Sequence, residues 1–206
     1  SRGLGDVYKR QPLAFITTDS NISCNGSADG GATASSSQGT LPFTYSWSNS
    51  ATTSSITGVV AGTYSVTITD QSGLTDSTSV TITEPALLVS ASVIDSNVSC
   101  NNGFDGGATA SSTGGTMPYT YTWSNSATTA SITGVGAGTY SVTITDQNGC
   151  TDSTSTSITQ PTALVASTAL DSNVSCNSGF DGGATASVTG GTMPYTYPWS
   201  NAATTA

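Results

Sequence analysis

The chain has 206 residues, of which only 7% are charged; it holds three Lys or Arg, twelve Asp or Glu and no His, for a formal net charge of −9. A field of one sign repels phosphate and anionic headgroups, which argues against nucleic acid as a partner, and no membrane insertion is expected. Without His there is no serine triad and no zinc–histidine site.

In chain order, residues 1–11 stand apart. The run Asp6–Gln11, DVYKRQ, resembles a translated sequencing adapter, and this segment holds Arg2, Lys9 and Arg10, the only basic residues. The segment does not belong to the repeating part of the chain. From Pro12 onward the chain reads as a tandem array: Trp47, Trp123 and Trp199 recur every 76 residues, as do Cys24, Cys100 and Cys176, and Asp19, Asp95 and Asp171. A feature present in every copy is scaffold before it is a unique site. The expected domains are residues 12–85, 86–161 and a truncated third repeat, 162–206.

Within a repeat the pattern is all β. Phe43, Tyr45 and Trp47 alternate with Thr44, Ser46 and Ser48, and Tyr64, Val66 and Ile68 alternate with Thr63, Ser65 and Thr67. Period-two alternation of β-branched and aromatic residues marks half-buried strands. In the second repeat the strands are expected at Leu88–Ile94, Gly107–Ser112, Tyr119–Ser124, Ala130–Thr133, Gly138–Thr145 and Cys150–Ile158. Asp146-Gln147-Asn148-Gly149 fits a type I turn, with Asp first and Gly fourth. Six or seven short strands per period predict an immunoglobulin-like β-sandwich, repeated in tandem. Thr83-Glu84-Pro85 and Thr159-Gln160-Pro161 close the repeats, and proline stiffens these joints, so a semi-rigid array is expected.

Few residues suggest chemistry. The aromatic row, Tyr121 and Trp123 in the second repeat, can stack on a sugar, or it can fill the core of a sandwich. Asp146, Asn148 and Asp152 offer oxygens that suit calcium, the one possible cofactor, although turn chemistry accounts for Asp146 and Asn148 without a metal. Gly134, Gly136 and Gly138 precede a strand, where a dinucleotide site needs a helix, so they belong to a turn. The acids recur mostly in turns, and no catalytic constellation is expected; the chain reads as a non-enzyme. No CxxC spacing occurs, so a metal–thiolate site is not expected.

The leader DSNVSCNNGFDGGATAS, then GGTMPYTYTWSN, GAGTYSVTITDQNGCT and ITQP, resembles the SprB repeat of large surface adhesins of gliding bacteria. The resemblance spans Pro12–Ala206. It implies an extracellular, cell-surface location reached by type IX secretion. It also implies a structural and adhesive role as a multivalent filament of monomeric repeat units, facing polysaccharide, other surfaces or other cells. The family pattern further implies a Cys100–Cys150 disulfide joining leader to last strand, with two free thiols as the alternative. Asp76-Ser77-Thr78 and Asp152-Ser153-Thr154 resemble O-glycosylation acceptors of such bacteria, at Ser77 and Ser153. Two departures stand out: Leu74 replaces the cysteine in the first repeat, and Pro198 interrupts the third aromatic strand. The competing reading is an accessory carbohydrate-binding module of a secreted hydrolase. In the third repeat Tyr195, Tyr197 and Trp199 are expected to be poorly packed.

Overall fold

The computed structural model describes residues 10–204; the adapter-like segment lies outside the described residues except for Arg10 and Gln11. Every described regular element is a strand. The first repeat holds β1 (Ala14–Ser20), β2 (Gly30–Ser36), β3 (Thr44–Trp47), β4 (Ser55–Val59), β5 (Gly62–Thr69) and β6 (Thr75–Ile82). The second holds β7 (Val89–Ser96), β8 (Gly106–Thr113), β9 (Thr120–Trp123), β10 (Ser131–Val135), β11 (Gly138–Thr145) and β12 (Thr151–Ile158). The third contributes β13 (Val165–Ser172) and β14 (Gly183–Thr189).

The pairing follows one plan twice. In the first repeat the sheets run β1-β2-β4 and β3-β5-β6, and in the second β7-β8-β10 and β9-β11-β12. The chain therefore changes sheet after the second strand, returns for the fourth and crosses again, as an immunoglobulin-like sandwich requires. In β5 the register Tyr45↔Ile68 and Trp47↔Val66 on one side, and Val66↔Thr78 and Ile68↔Asp76 on the other, places the apolar set on one face. The opposite face carries hydroxyl pairs, Thr67 with Ser77 at 2.9 Å and Thr63 with Thr81 at 3.1 Å. Such cross-strand pairs add a few tenths to about 1 kcal/mol each.

The first core gathers Ile22, Ala32, Ala34, Trp47, Ile56, Val66, Ile68 and Ile82. In the second repeat Val98, Ala108, Ala110, Trp123, Ile132, Val142, Ile144 and Ile158 are buried in the same places. Alanines and glycines on the second strand let the sheets approach closely. A Cβ on Gly106 would meet Ile158 Cγ2 at 2.7 Å and the Val135 carbonyl oxygen at 2.8 Å. The Tyr64 hydroxyl donates to the Val60 carbonyl at 2.9 Å, and Tyr140 to Gly136 at 3.0 Å. A tyrosine near the start of the fifth strand bonded to backbone a few residues upstream is the tyrosine corner of immunoglobulin-like domains.

By compactness the chain divides into two units: Ser1–Val89, Thr113–Tyr119 and Thr145–Thr151 in one, and Ser90–Ser112, Thr120–Ile144 and Asp152–Ala206 in the other. The first unit thus takes in two short segments of the second repeat. In the second unit the third repeat is a two-stranded sheet, β13 with β14. All of β13 is exposed, and Val174 is 53% exposed where its counterpart Val98 is 3%. Tyr195, Tyr197 and Trp199 are only half-buried, in backbone that forms no strand.

Candidate functional site

The residues brought together most specifically lie in the first unit, around a disulfide between Cys24 and Cys150. Their Cα atoms are 5.6 Å apart and 126 residues separate them in sequence. Cys24 sits in the leader loop that follows β1. That loop is held by the residues that close its own repeat: Ile22 N–H donates to the Thr83 carbonyl at 2.9 Å, Asn25 Nδ2 to the Pro85 carbonyl at 3.1 Å and Gly26 N–H to Glu84 Oε2 at 2.7 Å. Thr83-Glu84-Pro85 is therefore a docking strip for the leader as well as a joint.

Cys150 arrives on the turn between β11 and β12. Gly149 N–H donates to the Asp146 carbonyl at 3.1 Å and Gly149 has φ +86°, which fits the expected type I turn with glycine at its fourth position. The Asp146 carboxylate is buried and organises this turn. Its Oδ1 accepts from Asn148 and Cys150 N–H at 2.9 Å each, and its Oδ2 from Thr116 N–H at 2.8 Å. Burial works to raise the pKa of Asp146, but the N–H groups of Thr116, Cys150, Asn148 and Gly149 together outweigh it and hold the acid below its ordinary value. Asn148 Nδ2 then donates to the Ser23 carbonyl, next to Cys24, at 2.9 Å. The turn meets the preceding repeat's leader through one sulfur–sulfur bond and one amide hydrogen bond.

This corrects the expected Cys100–Cys150 bridge: Cys100 is free and exposed, as is Cys176. Strand geometry supplies the reason. Cys150 stands just before β12, whereas the leader carrying Cys100 is tied beyond the far end of that strand, by Val98 N–H to the Thr159 carbonyl and Asn101 Nδ2 to the Pro161 carbonyl. Eight strand residues span about 25 Å. A disulfide needs Cα atoms within roughly 7 Å. A bond from leader to turn within one repeat is out of reach.

Trp123 is 2% exposed and its indole Nε1 donates to the Thr129 carbonyl at 2.9 Å, so it is a core residue and the sugar-stacking reading is corrected for it. Tyr121 beside it is half-buried. Asp152, the remaining acid of the calcium set, uses Oδ2 to accept from both Ser90 N–H, at 2.7 Å, and Ser90 Oγ, at 2.8 Å. These bonds hold its pKa below the ordinary value. Among the described residues no group of three or more His, Cys, Asp or Glu comes together. Ser77 and Ser153 are exposed on edge strands, sharing hydroxyl bonds with Thr67 and Thr143. No described helix is long and apolar enough to cross a membrane.

The SprB repeat profile matches residues 16–52, 93–128 and 171–204, together more than half of the chain. A tandem array of all-β repeats defines the class, and the chain belongs to the SprB repeat family, whose members form structural repeat regions of cell-surface proteins of adhesin type. Each match covers leader and aromatic strand, the half of the repeat that holds Cys24, Cys100 or Cys176. Among curated proteins none matches the chain.

Solved structures with some likeness are immunoglobulin and fibronectin modules. An amphioxus IgVJ-C2 molecule is 16% identical, with 73% of this chain and 99% of that one covered and a TM-score of 0.31. DIP-gamma IG1+IG2 is 11% identical, with 74% and 98% covered and a TM-score of 0.37. Fibronectin(III)-like modules of Clostridium thermocellum CbhA are 12% identical, with 71% and 95% covered and a TM-score of 0.29. The sandwich is defined by the strand order, β1-β2-β4 with β3-β5-β6 and its repeat in the second copy.

Proposed function

We propose that the chain is a spacer and adhesive segment of a secreted adhesin of the gliding-motility type, exported by the type IX route and displayed at the cell surface. Its repeats, 12–85, 86–161 and 162–206, are the building blocks of a semi-rigid, multivalent filament that faces polysaccharide, other surfaces or other cells. It needs no cofactor and performs no catalysis. Ser77 and Ser153 are the positions this reading offers for O-glycosylation.

The observation that carries the reading is the Cys24–Cys150 bond within a chain of SprB repeats. It ties one repeat's leader to the next repeat's turn, which suits a filament that must transmit load. Many weak contacts displayed along such a filament add to a strong hold.

Surface-anchored chains probed with a polysaccharide-coated tip test both parts. Adhesive ruptures are expected, and the extension at rupture should fall short of the fully stretched chain until the disulfide is reduced. With 126 residues shielded between the cysteines, reduction should add roughly 40–45 nm of contour. Full extension before reduction would contradict the spacer role. No adhesion to polysaccharide or to cell surfaces would contradict the adhesive one.

A further inference from the structure

Cys100 lies one period after Cys24, and its surroundings in the second unit repeat those of Cys24 in the first. Asn101 Nδ2 donates to the Pro161 carbonyl at 3.1 Å as Asn25 does to Pro85 at 3.1 Å. Asn102 N–H donates to Gln160 Oε1 at 2.7 Å as Gly26 N–H does to Glu84 at 2.7 Å. Gly191 N–H donates to the Thr162 carbonyl at 2.9 Å as Gly115 N–H does to Ala86 at 2.8 Å. Beside Cys100, where the first unit holds the Asp146–Cys150 turn, the second unit has a cleft of about 460 Å³. Its walls include Ser99, Cys100, Pro161, Leu164, Gly191 and Thr192. These are the counterparts of Ser23, Cys24, Pro85, Leu88, Gly115 and Thr116, the residues around that turn. Leu88 is 6% exposed and Leu164 is 58% exposed, so the apolar wall of this cleft is uncovered.

The geometry points to this cleft as the seat of one occupant: the Asp-Gln-Asn-Gly-Cys turn of a complete following repeat, whose cysteine bonds Cys100. Three groups make the fit. The carbonyl of Ser99 takes the turn's asparagine amide, as that of Ser23 takes Asn148. Thr192 N–H takes the turn's aspartate, as Thr116 takes Asp146. Cys100 Sγ takes the cysteine sulfur. Two thiols become one disulfide by giving two protons and two electrons to an oxidising disulfide, which leaves as two thiols. Because Cys100 lies inside the loop closed by Cys24 and Cys150, successive bonds of this kind overlap, and every repeat along such an array is fastened to its neighbour. The rule predicts which cysteines pair in any tandem copy: leader with the next turn, never leader with its own turn. It does not depend on what the filament adheres to.

The test continues the 206-residue chain past Ala206 with a copy of residues 131–161, which supplies the missing turn. After equilibration in a reduced and oxidised glutathione buffer, free thiols are alkylated and unreduced peptides are mapped. The expected result is a peptide joining Cys100 to the appended cysteine, together with Cys24–Cys150, and alkylation at Cys176 alone. Cys100→Ser in this longer chain should leave the appended cysteine alkylated while Cys24–Cys150 persists. A bond between Cys176 and the appended cysteine, or alkylation of both Cys100 and the appended cysteine, overturns the proposal. So does a longer chain in which the Leu164 and Thr192 segments gain no amide protection.

Discussion

Ser92 carries a buried hydroxyl with no hydrogen-bond partner, at the position where the first repeat has Ile16 packed against its core. Leaving such a group unsatisfied costs about 1–3 kcal/mol, and an isoleucine there would bury apolar surface instead. Ser92→Ile is expected to raise the thermal midpoint of the second repeat, read by calorimetry; a lower midpoint would mean that the site has no room for the side chain. Asp146 makes the opposite kind of contribution. Its pKa is depressed on folding, so the stability it adds is fully present above its ordinary value of 3.8 and is lost as pH falls through the lower, folded value. Asp146→Ala should cost about 1–3 kcal/mol at neutral pH by stranding the N–H groups of Thr116, Asn148 and Cys150. The gap between variant and parent in denaturant titrations should close in strong acid; a gap that persists there would contradict this assignment. The turn's aspartate and glycine were legible in the sequence from turn chemistry alone. The partner of its cysteine was not, although a signal existed: the first repeat replaces Asn148 and Cys150 together, with Ser72 and Leu74. Those are the two side chains that reach the preceding leader.

The strands were legible because alternation fixes which face of each segment is buried. Gly138–Thr145 has the expected bounds, and the other five of the second repeat differ from expectation by one or two residues at their ends. Alternation says nothing about which strands become neighbours, so the pairing β8 with β10 and β9 with β11 came from the structure. The same limit explains the disulfide: a pattern names the strand that follows a cysteine but not which end of the sandwich another cysteine occupies. Two predictions belong to this scale. Trp123→Ala should cost about 3–5 kcal/mol, as deletion of a large buried aromatic does. Any loss of glycan binding in that variant should track unfolding rather than occur in a folded protein. Cys150→Ser removes a closed loop of 126 residues, which in the chain-entropy model is worth up to about 5 kcal/mol. The variant should melt lower than the parent under oxidising conditions and equally under reducing ones. A difference that survives reduction would assign the effect to packing.

For the molecule as a whole, the 76-residue period is the strongest signal in the sequence, since it defines a tandem array independently of any motif. The third repeat shows the cost of lacking a second layer: β13 is exposed throughout, and Leu164, Leu170 and Val174 face water. Amide exchange should find residues 165–204 far less protected than 89–158, and equal protection would contradict the one-layer description. What the period could not announce is that a leader closes onto the next copy's turn and not its own, because every copy contains both halves of that contact. Through this junction a disulfide joins one repeat to the next. Peptide mapping of the unreduced 206-residue chain, with free thiols alkylated first, tests it most directly. The expected result is a Cys24–Cys150 cross-linked peptide with Cys100 and Cys176 alkylated; a Cys100–Cys150 cross-link would contradict this pairing.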